Sequence, residues 1–219
     1  MSLFGTGLGP QQGVQPQASL QSPYPTQASG VEVTFDGKPA PLLWVQDGQI
    51  NAVAPWSLTP GQNTQVCVSY NNANTNCLTW AVAQAVPGVF TTDGTYALAV
   101  NQDGTLNSSN DPAPVGTIVT VWATGLGPIA PAQADGTLAS LPLPVNLMPA
   151  AVYASDTVGE TCLLACDWQP FAVEYAGPAP YLVSGVSQIN FQAANYPGAI
   201  YLTLLSGLSQ AFQIYVAGQ

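Results

Sequence analysis

Short runs in which apolar and polar residues alternate make up much of the chain, as in residues 117–122 (TIVTVW). Runs of this kind, rich in β-branched and aromatic residues, are typical of half-buried β-strands. Gly, Pro, Asn and Asp separate the runs, and no segment has a convincing helical period. The pattern therefore predicts an all-β protein whose short strands pack as a β-sandwich.

An internal repeat divides the chain. FGTGLGP at residues 4–10 recurs as WATGLGP at residues 122–128, and QIN at residues 49–51 returns at residues 188–190. The glycines suit a tight turn after a strand, and the proline ends pairing because it has no N–H to donate. The repetition predicts two tandem copies of one sandwich.

Two further segments are assigned to the repeat. The Pro-Ala-Pro segment of residues 39–45 is matched with that of residues 178–183, which makes Trp44 and Tyr181 equivalent, and Glu32 is matched with Glu174. Repetition then explains these side chains structurally. Each copy is predicted to close with a hairpin, residues 65–70 with 77–82 in the first copy and residues 199–205 with 210–216 in the second.

The repeat sets the predicted domain bounds. The first sandwich covers residues 1–87, a connecting hairpin covers residues 88–114, and the second sandwich covers residues 115–219. The second copy is longer because of an insertion, which carries Cys162 and Cys166.

Charged residues are scarce, and this excludes several classes of function. The chain has one basic residue, Lys38, 11 acidic residues and no histidine, for a net charge of −10. Histidine-based nucleophile pairs are therefore absent, and so is the positive charge that nucleic acids or anionic membrane surfaces would require. No apolar run reaches the length of about 18 residues that crosses a membrane.

We accordingly expect no enzymatic activity, no cofactor or metal, no nucleic-acid partner and no membrane insertion. Most aspartates precede glycine and are interpreted as turn formers rather than as catalytic carboxylates. These are Asp36, Asp47, Asp93, Asp103 and Asp135.

The four cysteines form two local pairs. Cys67 and Cys77 flank an Asn-rich turn in a predicted hairpin, and Cys162 and Cys166 are separated by three residues. An even count in local pairs favours disulfides and an oxidising compartment, although four buried thiols remain the alternative. Residues 1–5 lack the features of a signal peptide, so the chain is interpreted as the mature part of an exported protein, extracellular or at the cell surface.

The order of the motifs resembles the Solibacter-type C-terminal domain, a module that ends many secreted acidobacterial proteins. The shared segments include SLFGTGLGP, PAPLLWV, PGVF, NQDGTLNS, ATGLGP and the final QIN, and they span nearly the whole chain. The resemblance implies an exported pair of immunoglobulin-like sandwiches without catalytic residues, placed behind other extracellular domains. The chain departs from this pattern in its cysteine-containing insertion and in having nothing before the module.

The beginning of the first copy suggests a subunit contact. When the copies are aligned on TGLGP, Met1 matches Val119, so the first four positions of the second copy's opening strand have no counterpart. A shortened strand leaves unpaired backbone groups to which another chain can add a strand. The candidate contact residues are Met1, Ser2, Leu3 and Phe4, and a fragment boundary is the alternative explanation.

The tryptophans are the remaining candidate site. Trp80 and Trp122 lie in predicted strands and are assigned to the core, since large rings dominate core burial. Trp56 and Trp168 lie in predicted loops and are the candidate contacts for a polysaccharide.

Two functions are compatible with these features. The first is an extracellular structural module that self-assembles into a filament or matrix, with strand addition as the candidate contact, because burying its largely neutral Gln, Asn, Ser and Thr surface desolvates few charges. The partner would then be a further copy or a neighbouring extracellular domain. The alternative is a carbohydrate-binding or adhesive appendage of a secreted protein.

Overall fold

A computed structural model describes residues 1–74, 77–155, 169–196, 199–204 and 207–218. Over these residues the protein consists of strands, turns and loops, and every pair of named strands is antiparallel. The predicted all-β fold is therefore confirmed. No helix suited to crossing a membrane occurs in this part of the chain.

The chain forms two compact units. The first consists of Met1–Gln84, Pro131–Leu143 and Pro180–Ser184, and the second of Ala85–Ala130, Pro144–Ala179 and Gly185–Gln219. Residues 88–114, which the sequence pattern describes as a connecting hairpin, thus belong to the second unit. Two short segments of the second sequence copy belong to the first unit.

The described residues of the first unit form nine short strands. They are β1 (Ser2–Phe4), β2 (Gln27–Ala28), β3 (Val31–Phe35), β4 (Lys38–Pro39), β5 (Leu42–Val45), β6 (Gln49–Ala52), β7 (Asn63–Tyr70), β8 (Ala73–Asn74) and β9 (Leu78–Ala81). One sheet has the order β1-β6-β5, and the other has the order β2-β3-β7-β8, with β4 on β3 and β9 on β7.

The two sheets of this unit share one core. In β3 the residues Val31, Val33 and Phe35 are buried and alternate with half-buried polar ones, as the period of a strand requires. They pack with inward residues of the other sheet, including Leu42 and Ile50, which are fully buried. Apolar faces from two sheets in one cluster are the arrangement of a β-sandwich.

The second unit contains the remaining named strands. They are β10 (Gly88–Val89), β11 (Ala99–Asn101), β12 (Ile118–Thr124), β13 (Ile129–Ala130), β14 (Val145–Asn146), β15 (Ala150–Ser155), β16 (Gln169–Pro170), β17 (Val173–Pro178), β18 (Val186–Gln192), β19 (Ala199–Leu204) and β20 (Gly207–Leu208). A five-stranded sheet has the order β10-β12-β18-β17, with β11 also on β12, and a four-stranded sheet has the order β16-β15-β19-β20.

The core of the second unit again joins two sheets. Val119 and Val121 from β12 and Phe191 from β18 cluster with Val152 from β15. Phe171 meets Phe191 edge to face, with ring centroids 5.5 Å apart, the geometry that aromatic pairs prefer.

The TGLGP and QIN motifs pair in the same register in both units. Phe4 lies opposite Gln49 in the first unit, and Trp122 lies opposite Gln188 in the second. The Gln49 amide donates a hydrogen bond of 2.9 Å to Asn51, and the Gln188 amide donates one of 2.9 Å to Asn190. These segments are therefore equivalent in position as well as in sequence.

The match between the two Pro-Ala-Pro segments is wrong in register. Trp44 lies opposite Asn51, but the residue opposite the equivalent Asn190 is Tyr175, not Tyr181. Glu32 and Glu174 are likewise not equivalent. Glu32 pairs with Ser69 on β7, whereas Glu174 lies at an irregularity where β17 pairs with β18.

Candidate assembly edges of the first unit

Strand β1 forms one edge of its sheet. Ser2, Leu3 and Phe4 pair with Asn51, Ile50 and Gln49 of β6. At the opposite edge of this sheet, the backbone of Val14 forms two reciprocal hydrogen bonds with β5. Among the described residues, none pairs with the outer side of β1.

The hydrogen-bond pattern shows which backbone groups β1 leaves open. Met1 and Ala52 exchange two hydrogen bonds, of 2.8 and 3.0 Å, and the Gly5 N–H donates to the Gly48 carbonyl at 3.3 Å. In an antiparallel pair, bonded and non-bonded residue pairs alternate. The N–H and C=O groups of Ser2 and Phe4 therefore point away from β6.

The equivalent edge of the second unit is covered. There β10 and β11 both pair with β12, and the Phe90 N–H donates a hydrogen bond of 2.9 Å to the Trp122 carbonyl. Trp122 is the counterpart of Phe4 in the repeat. In the second unit, the backbone at Trp122 is thus paired with a further strand. Among the described residues, no further strand pairs with the equivalent position in the first unit, Phe4.

The side chains of β1 give this edge an apolar character. Leu3 packs against the core of the first unit, whereas Phe4 is 75% exposed and Met1 is 40% exposed. No residue of β1 carries a side-chain charge. Proteins commonly protect edge strands with Lys or Pro, and β1 has neither.

A second exposed edge lies in the other sheet of the same unit. Leu78 and Trp80 of β9 are 51% and 54% exposed, and they lie opposite the buried Val66 and Thr64 of β7. Directly opposed residues share a face of the sheet, so Leu78 and Trp80 lie on the same face as the core-facing residues of β7. The other sheet covers that face at β7 but leaves it exposed at β9. The prediction that Trp80 fills the core is therefore wrong.

Sequence reasoning missed this edge for a physical reason. In β9, Leu78 and Trp80 alternate with Thr79, which is the same pattern that a buried strand shows. Alternation indicates which residues share a face. It does not indicate whether another layer covers that face.

Trp56 takes part in a polar contact within the first unit. Its backbone N–H donates to Asp135 at 2.8 Å, and the other Asp135 oxygen lies 2.8 Å from the Lys38 ammonium. Lys38 also donates to the Ser57 hydroxyl at 3.0 Å. The indole nitrogen of Trp56 is buried and has no hydrogen-bond partner among the described residues, so its polar atom does not face solvent as a ligand contact would.

The disulfide predicted between Cys67 and Cys77 is confirmed, and it joins two Cα atoms 4.3 Å apart next to the β7–β9 pair. It ties the start of β9 to the middle of β7. The other predicted site residues, Cys162, Cys166 and Trp168, lie outside the described residues.

Comparisons with known proteins do not assign the chain to a family, since no family model, curated protein or solved structure matches it. The resemblance to the Solibacter-type domain therefore stays a prediction.

Proposed function

We propose that this chain is a structural subunit of the cell exterior, built from two related immunoglobulin-like sandwiches, that assembles with further copies of itself. The supporting observation is that no described residue pairs with the outer edge of β1, whereas the equivalent edge of β12 is covered by β10 and β11. Addition of a strand to β1 would give the first unit the pairing that the second unit already has.

Strand addition suits the chemistry of this edge. The outward N–H and C=O groups of Ser2 and Phe4 would gain partners, and each such hydrogen bond contributes about 0.5–1.5 kcal/mol net. Phe4 lies on the outer face of the sheet, so an added strand would cover part of its ring and add a fraction of the roughly 1.5–3 kcal/mol that full burial of such a side chain contributes. Because β1 carries no side-chain charge, no ionised side chain of β1 loses its hydration.

The exposed edge of β9 is the proposed partner of β1 in the neighbouring copy. We infer that β1 of one copy pairs with β9 of the next, because neither strand carries a charged side chain and both present exposed apolar ones. Two different edges on each copy make a head-to-tail contact, and a head-to-tail contact that does not close on itself produces an open filament.

An extracellular location is supported by the disulfide. A bond between Cys67 and Cys77 persists in oxidising surroundings and is rare in the cytosol. Few side chains of the protein are charged, so few ionised groups lose their hydration when copies pack side by side. The first unit would carry the contact, and the cysteine-bridged hairpin would hold β9 in place within it.

Sedimentation velocity over a concentration series tests the proposal with two blocked variants. Phe4→Lys places a charge on the edge of β1, and Trp80→Lys places one on β9. Leu20→Lys is the matched control, since Leu20 is also exposed in the first unit but lies outside both edges. We expect the natural protein and the control to form oligomers that grow with concentration, and each blocked variant to stay monomeric.

A mixture of the two blocked variants then tests the direction of the contact. Phe4→Lys retains a free β9 edge and Trp80→Lys retains a free β1 edge, so an equimolar mixture should give dimers and nothing larger. A natural protein that stays monomeric throughout would overturn the proposed function. Oligomers in each blocked variant alone, or a purely monomeric mixture, would overturn the pairing of β1 with β9.

A further inference from the structure

The second unit contains a cavity that the assembly proposal does not use. Its volume is about 400 Å³, and its lining includes three tyrosines, a glutamine and a serine: Tyr96, Tyr196, Tyr215, Gln213 and Ser109. This volume lies in the range of small-molecule binding sites. Among the described residues, no Asp, Glu or Lys lines it.

Two of the tyrosines form a parallel stack at this cavity. The ring centroids of Tyr96 and Tyr215 are 4.0 Å apart, and the ring planes differ by 3°. Along residues 212–216, buried side chains alternate with half-buried ones. Phe212, Ile214 and Val216 pack in the core of the unit, while Gln213 and Tyr215 occupy the opposite face.

A buried asparagine fixes the backbone of Tyr215. The Tyr215 N–H donates to the side-chain oxygen of Asn107 at 2.8 Å, and the Asn107 amide donates back to the Tyr215 carbonyl at 2.8 Å. Asn107 is 6% exposed. The same carbonyl accepts the Ala113 N–H at 2.9 Å. Both the N–H and the C=O of Tyr215 are therefore fixed by hydrogen bonds.

Tyr96 and Gln213 are held in a similar way. The carboxylate of Asp93 accepts the N–H groups of Thr95 and Tyr96, each at 2.8 Å. The Gln213 N–H donates to the Thr95 carbonyl and the Gln213 carbonyl accepts the Ala97 N–H, both at 2.9 Å. The backbone that carries these side chains is therefore ordered before a ligand binds, so binding has no cost of backbone ordering there.

The lining determines which ligand class fits. Three phenol rings offer flat apolar faces with hydroxyl groups, and Gln213 offers an amide that both donates and accepts hydrogen bonds. A charged ligand would find no counter-ion among the lining residues that the structure describes. We propose that this cavity binds a neutral saccharide, whose C–H faces lie against the tyrosine rings and whose hydroxyls bond to Gln213 and the phenols.

Isothermal titration calorimetry with three neutral tetrasaccharides (cellotetraose, maltotetraose and tetra-N-acetylchitotetraose) tests this proposal, and tetragalacturonate serves as the charged control. The titrations use the Phe4→Lys protein, so that assembly does not contribute heat. We expect at least one neutral tetrasaccharide to bind and the charged control to show no binding. Loss of one ring should weaken binding about tenfold in Tyr96→Ala and in Tyr215→Ala.

Two controls keep the result independent of folding and assembly. Tyr96→Phe retains the ring and should bind within about threefold of the parent, while Tyr181→Phe alters an exposed tyrosine of the first unit and should change nothing. The proposal is overturned if none of the neutral tetrasaccharides binds at millimolar concentration, or if Tyr96→Ala and Tyr215→Ala bind as tightly as the parent. Neither outcome bears on whether the natural protein oligomerises.

Discussion

The ammonium group of Lys38 lies 2.8 Å from the carboxylate of Asp135, which joins β4 to the segment Pro131–Leu143 within the first unit. Lys38 is the single basic side chain of the protein. The second oxygen of Asp135 accepts the Trp56 N–H at 2.8 Å. One carboxylate thus connects three parts of the first unit that are far apart in sequence.

Removing the charge of Asp135 should destabilise the protein. Asp135→Asn weakens two charge-assisted hydrogen bonds at a mostly buried side chain, so we expect a loss of about 1–2 kcal/mol in the free energy of unfolding. Lys38→Met should cost less, about 0–1 kcal/mol, because Lys38 is half exposed. Urea denaturation measures both variants. Glu32→Gln, which changes a carboxylate elsewhere in the same unit, is the control and should have little effect.

The disulfide should contribute more than the ion pair. Closing the short loop between Cys67 and Cys77 stabilises the folded state by about 3 kcal/mol, because it reduces the entropy of the unfolded chain. The double variant Cys67→Ser/Cys77→Ser should therefore unfold at a clearly lower urea concentration. Substitution is preferable to a reducing agent here, since it leaves Cys162 and Cys166 untouched. An unchanged midpoint would contradict the assignment.

The turn aspartates should cause a loss of stability only in acid. Hydrogen bonds from the Gln65 N–H and the Thr64 hydroxyl lower the pKa of Asp36. The N–H groups of Tyr96 and Thr95 lower the pKa of Asp93, and the N–H and hydroxyl of Thr105 lower the pKa of Asp103.

The sign of the pH effect follows from these shifts. Because the folded pKa values lie below the unfolded value of about 3.9, the carboxylates stabilise the fold at higher pH. That contribution is lost as the pH falls from about 5 through the folded pKa values. Urea midpoints of the natural protein should decline over this range. The triple variant Asp36→Asn/Asp93→Asn/Asp103→Asn should decline less, and an equal decline would contradict the assignment.

Trp80 should be nearly dispensable for stability. A tryptophan in a core costs about 3–5 kcal/mol when truncated, but Trp80 is more than half exposed at the edge of β9. We expect Trp80→Ser to change the free energy of unfolding of the monomer by less than about 1 kcal/mol. Phe191→Ala, which removes a fully buried ring, is the comparison and should cost several kcal/mol. Equal losses of unfolding free energy in Trp80→Ser and Phe191→Ala would contradict the exposed position of Trp80.

The sequence could predict features that depend on local periodicity. The alternation in residues 117–122 indicated a half-buried strand, and the turn between Cys67 and Cys77 indicated a bridged hairpin. These features depend on neighbours in sequence. The shared TGLGP and QIN motifs likewise predicted the equivalence of Phe4 and Trp122 in register.

Features that depend on distant residues could not be predicted. Tyr96 and Tyr215 meet only because Asn107 and the parallel contact of Tyr96 with Gln213 align their backbones. Likewise, the composition of the segment containing Asp135 indicated a turn and gave no sign that it would pack in the first unit. The Pro-Ala-Pro sequence that the two segments share gave the wrong alignment of Trp44 with Tyr181. The register of these strands is set by their pairing with β6 and β18 rather than by the prolines.

Hydrogen–deuterium exchange at the N-terminal strand tests the central claim most directly. In a monomer the Ser2 and Phe4 amides face outward and should exchange rapidly. In oligomers a strand from a neighbouring copy should protect them. We predict that protection of the peptide containing residues 1–4 rises with protein concentration in step with the sedimenting mass. Oligomers in which these amides still exchange at the rate of the monomer would contradict the account.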